Sequence, residues 1–505
     1  MLEALSQALL LVFGTPGFIV STVGGVLAGL VVGILPGFGT MLAMSLFLPF
    51  AFKLSPVTAL PFLAALLAAS RSAGSVTSVL LGIPGESVNA ATIVDGFPMT
   101  KKGEGRRAVV AAILSSGLGG LVTVVLSLAI VPLVVPLVMT IRAADMVFLI
   151  LVGIAFIGVL GKGTMIKGVV SGGIGLLLGF IGFEPMTGTS RFTFDSVYLY
   201  SGLDLVALAM GVFAIPEVVA LFVSGGTIAR AGATPTAPGG ALQGLRDIFR
   251  HWWLFLRSSA VGFFIGVLPG IGAQAATWVA YGQAKAMSKR PDDFGKGTVE
   301  GVIAPESANN ACLTGDLLVT LSLGIPGSAS MVLIIAAFYM VGLVPGPDMM
   351  TKHLVLSLSL ILTTAVANVL GVAICFFGAS QLARIALVPA RILMPLITVL
   401  IFVGAYTANQ RFNDIVVVLI FGAVGLLMIR YGFSRPALLL GFIMAPLFET
   451  NVFVALQVGG PLFFMRPFAL VAILAIIALF AWDPLKELFL RNRRREASAN
   501  GGTKE

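Results

Sequence analysis

Long apolar segments separated by short polar loops fill almost the whole chain. In the first half the apolar segments run over 8–52, 57–94, 108–139, 143–160, 164–183 and 203–223, with polar loops at 95–107 and 184–194. The second half repeats this order of apolar segments and polar loops from 258 to about 482. A membrane span needs about 20 apolar residues. The pattern therefore predicts an all-α polytopic membrane protein with about 12 transmembrane segments, some of them broken or re-entrant.

Three motifs occur twice, in the same order along the chain. They are GILPGFG at 33–39 and GVLPGIG at 266–272, LGIPG at 81–85 and again at 323–327, and LLLGFI at 176–181 and again at 438–443. In the first two motifs, Pro-Gly interrupts an apolar segment. Paired interruptions in two related halves are the sequence signature of a secondary transporter's binding site.

The repeats and the loop composition divide the chain into four parts. Residues 1–223 form a first transmembrane repeat and 258–485 a second one. The segment 224–257 joins them: 224–244 is a linker rich in Gly, Ala, Thr and Pro, and 246–257 places arginines beside a Trp pair, which suits a helix at the membrane surface. Residues 486–505 form a basic tail.

The loop that carries most of the basic residues differs between the two halves. Four basic residues follow LGIPG in the first half, whereas in the second half four follow the Leu-Pro-Gly motif: Lys101, Lys102, Arg106 and Arg107, then Lys285, Lys289, Arg290 and Lys296. Because basic loops face the cytoplasm, this exchange favours two halves inserted in opposite orientations. The arginines after 485 place the C-terminus in the cytoplasm by the same rule.

Composition supports a membrane protein and excludes other classes. The 505 residues are 58% hydrophobic and 10% charged, with a mean hydropathy of +1.05. The net charge of +9 comes from short loops and the tail, so it does not indicate nucleic-acid binding. Cys312 and Cys375 lie in apolar surroundings and predict neither a disulfide nor a metal site. No basic leader precedes the first apolar segment, so we expect it to be retained.

The Pro-Gly breaks are the candidate substrate site. A break inside a span exposes backbone groups that lipid cannot satisfy, so it must be buried or line a wet cavity. The helix that begins after each break presents free N–H groups and a positive dipole end, which suits a carboxylate. The alternative is that the breaks are kinks that help helices pack. The predicted substrate-binding residues are Pro36, Gly37, Gly39, Thr40, Ser75, Thr77, Pro84, Gly85, Glu86, Ser87, Asn89, Pro269, Gly270, Gly272, Asn309, Asn310, Pro326, Gly327 and Ser328.

Polar residues upstream of LGIPG are the candidate coupling-ion site. Buried charges are costly in a membrane, so these side chains should face a cavity or one another. We predict Glu306, Thr314 and Asp316 as ligands of a coupling Na⁺ or H⁺, with no other cofactor, and Arg71 as a partner for an anionic substrate. Counted back from the shared Pro, Gly74 occupies the place of Asp316. The alternative for each residue is a satisfied hydrogen bond between helices.

The sequence contains few residues or motifs that indicate an enzyme. The chain has two histidines, His251 and His353, and neither belongs to a zinc-binding His-Glu-x-x-His motif. Residues 161–164 (GKGT) lack the upstream glycine of a phosphate-binding loop. We therefore expect a transporter rather than an enzyme. A passive anion channel and, less favoured, an intramembrane enzyme remain the alternatives.

Several motifs together resemble the large membrane subunit of tripartite tricarboxylate transporters, the TctA family. The resemblance spans about residues 20–470 and rests on both Pro-Gly motifs together with DGFPM at 95–99, TGTSRFTF at 187–194, APESANNA at 304–311 and LGFIMAPLFE at 440–449. Two segments depart from the family: 69–74 lacks its usual aromatic residues and glycines, and 447–451 lacks a second acidic residue after Glu449.

The resemblance implies a bacterial inner-membrane permease driven by an ion gradient. It implies two protein partners, a small TctB-like membrane subunit and a periplasmic TctC-like binding protein that delivers substrate. The implied substrates are citrate or related organic carboxylates, carried by alternating access. The departure at 69–74 lies beside the expected cavity and leaves the identity of the carboxylate open.

Overall fold

The computed structural model describes residues 1–35, 38–159, 165–184, 188–223, 240–385 and 390–477. The predicted site residues Pro36 and Gly37, most of the predicted linker and the basic tail lie outside the described residues. The first half contains α1 (Leu2–Gly14), α2 (Pro16–Ile34), α3 (Gly39–Phe52), α4 (Pro56–Leu81), α5 (Ala90–Lys101), α6 (Gly105–Val138), α7 (Ala143–Val159), α8 (Met165–Gly179), α9 (Val197–Tyr200), α10 (Leu205–Ala209) and α11 (Ile215–Val223).

The remaining helices lie in the second half. Its helices are α12 (Ala241–Arg250), α13 (Trp252–Val267), α14 (Gly272–Met287), α15 (Glu300–Leu323), α16 (Ala329–Met340), α17 (Pro347–Thr351), α18 (Leu354–Ile385), α19 (Ala390–Asn409), α20 (Phe412–Tyr431), α21 (Arg435–Gly459) and α22 (Pro467–Ile477). Short 3-10 turns lie at Ser87–Asn89, Pro291–Asp293 and Gly460–Met465, and a π-helical turn, Met210–Ala214, joins α10 to α11.

Seven helices of the described chain are long and apolar enough to cross a membrane, which confirms an all-α polytopic membrane protein. They are Pro16–Ile34, Pro56–Leu81, Gly105–Val138, Leu205–Val223, Leu354–Ala379, Phe412–Tyr431 and Arg435–Met465. Shorter apolar helices, among them α3, α13 and α16, begin or end at the Pro-Gly breaks. The total of about 12 crossings stays a prediction.

Glycines let α2 lie directly against α4. A Cβ atom built on Gly25, Gly29 or Gly33 would stand only 2.2, 2.3 or 2.1 Å from a carbonyl oxygen of α4. The same contact recurs between α13 and α15, where a Cβ on Gly262 or Gly266 would stand 2.4 or 2.2 Å from the α15 backbone. Close approach of backbones through small residues is a principal source of helix association in membranes.

These glycines give a testable packing prediction. We expect Gly33→Ala and Gly266→Ala each to lower the free energy of unfolding by about 1–3 kcal/mol, because the backbone that the new methyl group meets cannot move aside like a side chain. Thermal unfolding of the purified protein in detergent measures the loss. Gly282→Ala on α14 is the matched control, because a Cβ there meets nothing within 4 Å. Equal unfolding temperatures for all three variants would contradict the close contact.

The two copies of LLLGFI lie against each other. A Cβ on Gly179 of α8 would stand 2.6 Å from the Phe442 carbonyl oxygen, and one on Gly441 of α21 would stand 3.0 Å from the Leu176 backbone nitrogen. Near this contact, β1 (Gly182–Phe183) pairs antiparallel with β2 (Ser190–Arg191). The Arg191 guanidinium donates two hydrogen bonds, of 2.6 and 2.9 Å, to the Glu449 carboxylate of α21. The last repeated motif thus joins the two halves of the chain.

The predicted polar loop at 95–107 is wrong in its extent. Helix α5 continues to Lys101 and α6 begins at Gly105. The reason is Asp95, which is fully buried and holds the loop before α15 in place. Its Oδ1 accepts backbone N–H groups of Gly295, Gly297 and Thr298 at 2.9, 2.7 and 3.0 Å. Its Oδ2 accepts the Tyr281 hydroxyl of α14 at 2.9 Å.

This contact predicts a loss of stability in Asp95→Asn. The new amide group would turn a donor toward N–H or O–H groups that now donate to a carboxylate, so we expect a loss of about 1–3 kcal/mol in the free energy of unfolding. Thermal unfolding in detergent is again the measurement. Asp292→Asn is the control, because Asp292 is exposed in the same loop. An Asp95→Asn variant as stable as this control would overturn the role of Asp95.

Candidate functional site

The second Pro-Gly break, and residues that directly follow the other three, line one cavity of about 760 Å³. Gly39 and Thr40 follow the first break, Gly272 follows the third and Ser328 follows the fourth. The second break contributes a continuous run, Pro84, Gly85, Glu86, Ser87 and Val88. The remaining lining residues are Phe38, Met41, Leu42, Arg71, Glu217, Ile271, Ala273, Gln274, Ala275, Trp278, Ala329 and Ser330.

Backbone geometry at the breaks is matched between the halves. The helices α2 and α13 end in extended residues, Leu35 and Leu268, with ψ of 108° and 109°. The helices α4 and α15 end in left-handed glycines, Gly82 and Gly324, with φ of +67° and +70°. Only a residue without a Cβ adopts this conformation at little cost, which explains Gly at both positions.

Three helices begin at the cavity: α3, α14 and α16. These helices have 14, 16 and 12 residues. The first turn of such a helix presents N–H groups without a partner inside the helix and a partial positive charge. Pairing between breaks holds this arrangement, because Gly270 N–H donates to the Gly327 carbonyl oxygen at 3.2 Å. The cavity can therefore attract a carboxylate through backbone groups alone.

A buried ion pair crosses from α4 to α15 at the cavity wall. Arg71 and Asp316 are 2% and 0% exposed, and Nη2 of the arginine lies 3.3 Å from Oδ2 of the aspartate. Arg71 Nη1 also donates to the Asn309 carbonyl oxygen at 3.2 Å. These two bonds use part of a guanidinium that has five N–H donors. Because Arg71 lines the cavity, it can also donate to a bound carboxylate.

Glu86 places a carboxylate directly on the cavity. Its Oε1 accepts hydrogen bonds from the Thr40 and Ser70 hydroxyls, and these two hydroxyls lie 2.9 Å apart. Glu86 stands two residues after Pro84, as Ser328 stands two residues after Pro326. Both residues are extended and precede a helical turn. The same backbone position thus carries a carboxylate in one half and a hydroxyl in the other.

Glu306 of α15 is the centre of a second, deeper cluster. Its Oε2 accepts Ser75 Oγ at 2.7 Å and Asn309 Nδ2 at 3.2 Å. Its Oε1 accepts Thr92 Oγ1 at 2.6 Å and Asn89 Nδ2 at 3.3 Å. Asn89 also donates to the Arg71 carbonyl oxygen at 3.1 Å, which connects this cluster to the cavity wall.

The Glu306 cluster contains oxygen atoms without matching positive charge. Glu306 is 1% exposed, and among the described residues no Lys, Arg or His forms an ion pair with it. The Asn89 and Asn309 Oδ1 atoms are buried and accept no hydrogen bond within the described chain. A buried carboxylate without a countercharge is costly unless a proton or a cation neutralises it. Oxygen ligands of this kind suit a hard cation.

The predicted site residues that the structure describes fall into four groups. The cavity collects Gly39, Thr40, Pro84, Gly85, Glu86, Ser87, Gly272 and Ser328. The Glu306 cluster collects Ser75, Asn89 and Asn309, while Pro269, Gly270, Pro326 and Gly327 form the backbone of the second-half breaks.

The fourth group makes its contacts away from the cavity and from the Glu306 carboxylate. Asn310 donates to Ser72 at 2.8 Å and to Asn368 of α18 at 2.6 Å. Thr314 hydrogen-bonds Thr123 of α6 at 3.2 Å. Thr77 donates to the Gly74 carbonyl oxygen in its own helix at 3.0 Å. These contacts are the interhelical or local hydrogen bonds that the sequence left as an alternative.

The sequence missed several residues of the site. Thr92 lies in a segment that reads as apolar, Glu217 stands far from any repeated motif, and Gln274 and Trp278 follow the GVLPGIG motif without belonging to it. Glu217 pairs with Arg435 at 3.0 Å. Helix periodicity could have flagged Gln274, two residues after the Gly272 that begins α14, but the other three carry no local signal.

Comparisons with known proteins agree with the motifs. Residues 19–440 match the family described as "Tripartite tricarboxylate transporter TctA family". The chain is similar to an Agrobacterium vitis protein named "Uncharacterized 52.8 kDa protein in TAR-I ttuC' 3'region", with 33% identity over 448 residues and 87% of each chain covered. It is also similar to the "Uncharacterized protein in TAR-II ttuC' 3'region" of that organism, with 36% identity over 191 residues, which cover 38% of this chain and 79% of that one. No solved structure matches the chain. The family match covers most of the sequence, and the chain therefore belongs to the tripartite tricarboxylate transporter TctA family.

Proposed function

We propose that this protein is the large permease subunit of a binding-protein-dependent, ion-gradient-driven importer of tricarboxylates or related organic carboxylates. The observation that carries the proposal is one cavity lined by the second Pro-Gly break and by residues that directly follow the other three. Three helix N-termini and one guanidinium face that cavity, and both features favour a carboxylate. Family membership supports a transporter rather than an enzyme.

The Glu306 cluster is the proposed site of the coupling Na⁺ or H⁺. Its carboxylate has four hydrogen-bond donors and no cationic partner among the described residues. Binding of a cation or proton there would neutralise the buried charge. Asn89 and Arg71 connect this cluster to the cavity, so occupancy of one site can alter the other. This connection is the basis we propose for coupling.

Alternating access would come from two inverted repeats that move against each other. Support comes from paired contacts: Gly29 meets Leu66 as Gly262 meets Ala308, and Gly33 meets Ser70 as Gly266 meets Cys312. Ser70 and Cys312 each stand fourteen residues before the Pro of LGIPG. The inverted orientation itself rests on the exchange of basic loops.

The proposed setting is the bacterial inner membrane with a cytoplasmic C-terminus. The proposed partners are a small TctB-like membrane subunit and a periplasmic TctC-like binding protein, as membership of a tripartite family implies.

Uptake into proteoliposomes tests this function. The permease is reconstituted with its small subunit, and radiolabelled organic acids are supplied with the loaded binding protein outside, under an imposed Na⁺ or H⁺ gradient. Accumulation that disappears when one gradient is removed is the expected result, and it names the ion. If the acid only equilibrates across the membrane, at a rate that neither gradient changes, the protein is instead a passive anion channel. Absence of flux for every acid would overturn a carboxylate permease.

A further inference from the structure

We propose that the cavity accepts organic acids with a single carboxylate, bound by Arg71, and discriminates against tricarboxylates. This inference narrows the substrate class of the proposed transporter and therefore rests on the proposed function. It follows from the charges that surround the cavity.

Arg71 is the one cationic side chain among the described residues that line the cavity. Its charge is balanced by Asp316, which lies 3.3 Å away. Glu217 also lines the cavity, and Arg435 balances it at 3.0 Å. Glu86 has hydroxyl partners, Thr40 and Ser70, rather than a cation in hydrogen-bond contact. The side chains around the cavity therefore supply no surplus of positive charge.

The helix ends supply a limited amount of positive charge. Each N-terminus carries roughly half an elementary charge, and three helices begin at the cavity. Their combined charge of about one and a half offsets Glu86 and leaves roughly half a charge to attract one further carboxylate. A trianion would bring negative charge that no described side chain of the wall balances, in a setting where charges are poorly screened.

The residue types of the wall agree with a ligand that has one charged end. Arg71 lies on α4, and apolar side chains line other parts of the cavity: Phe38, Met41, Leu42, Val88, Ile271 and Trp278. Such side chains suit the uncharged body of an organic acid. A ligand with carboxylates at several positions would have to desolvate some of them against this apolar surface.

Binding of a matched ligand series tests the inference. Butyrate, glutarate and tricarballylate carry one, two and three carboxylates on short carbon chains, and near pH 7.5 they are largely ionised. Calorimetric titration of the purified permease in nanodiscs should give binding for butyrate at least about tenfold tighter than for tricarballylate. Tighter binding of tricarballylate, or binding of none of the three, would overturn the inference. Uptake of a tricarboxylate in the proteoliposome assay would at the same time leave the proposed permease function intact.

Two variants test the charge argument itself. Glu86→Gln removes one negative charge from the wall, so we expect the ratio of glutarate to butyrate affinity to rise about tenfold. Arg71→Lys should retain weakened butyrate binding, whereas Arg71→Gln should abolish it. Glu104→Gln, in an exposed loop before α6, is the control and should change no ratio. An unchanged ratio in a folded Glu86→Gln protein would contradict the inference even if the Arg71 variants fail to fold.

Discussion

Replacing Arg71 alone with Met is expected to destabilise the protein by about 3–5 kcal/mol, because it leaves the fully buried Asp316 without its countercharge. Asp316→Asn should have a similar effect, since it leaves the buried guanidinium unpaired. The double variant, Arg71→Met with Asp316→Asn, removes both charges and should recover most of that stability. Thermal unfolding of the four proteins in detergent completes the double-mutant cycle.

Measuring carboxylate uptake distinguishes a structural role of the Arg71–Asp316 pair from a role in transport. The double variant should fold but take up no carboxylate at a measurable rate, because the cavity has lost its cationic side chain. Arg290→Met is the control, because Arg290 and its partner Asp293 are 81% and 52% exposed and such a pair contributes at most about 1 kcal/mol. Wild-type uptake by the stable double variant would show that Arg71 only holds α4 and α15 together.

Glu306→Gln is expected to abolish gradient-driven uptake while the protein remains folded. The substitution keeps the shape of the side chain but removes the negative charge that would hold the coupling ion. It also turns an amide donor toward groups that already donate, Ser75, Thr92, Asn89 and Asn309, so a stability loss of about 1–3 kcal/mol is expected as well. Uptake measured against Na⁺ concentration and against pH detects the loss.

Glu300→Gln provides the matched control for Glu306. Glu300 begins the same helix, but it is 26% exposed and lies near His251 rather than in the cluster. This variant should keep the ion dependence of the wild type. If Glu306→Gln shows the same ion dependence as Glu300→Gln, the coupling ion binds elsewhere.

The repeated motifs made much of the site predictable. Pro and Gly at matched positions have a direct backbone consequence, so the sequence indicated which residues end helices at the cavity. The position of Glu86 followed in the same way, because it stands two residues after a repeated Pro. A strong local signal that recurs in both halves sufficed for these residues.

Contacts between distant segments could not be predicted in this way. Nothing in the sequence pairs Arg71 with Asp316, 245 positions apart, and nothing brings Thr92 to Glu306. The predicted loop at 95–107 failed for the same reason, since Asp95 reads as a loop residue until its partners across the fold are known. Thr314 shows the same limit: Asp316, two residues further along, pairs with Arg71 of the cavity wall, whereas the Thr314 hydroxyl hydrogen-bonds Thr123 of α6.

Protection of a cysteine at position 87 by substrate tests most directly whether the breaks form the binding site. Ser87 is exposed and lines the cavity, whereas the two native cysteines, Cys312 and Cys375, are buried, so wild-type protein gives the background. A maleimide is added to the Ser87→Cys permease, with and without a saturating concentration of the acid that accumulates in proteoliposomes. Ser201→Cys, at an exposed position after α9, is the control. We expect the acid to slow labelling at position 87 by about tenfold or more and to leave labelling at position 201 unchanged. Equal labelling rates at position 87 with and without the acid would contradict it.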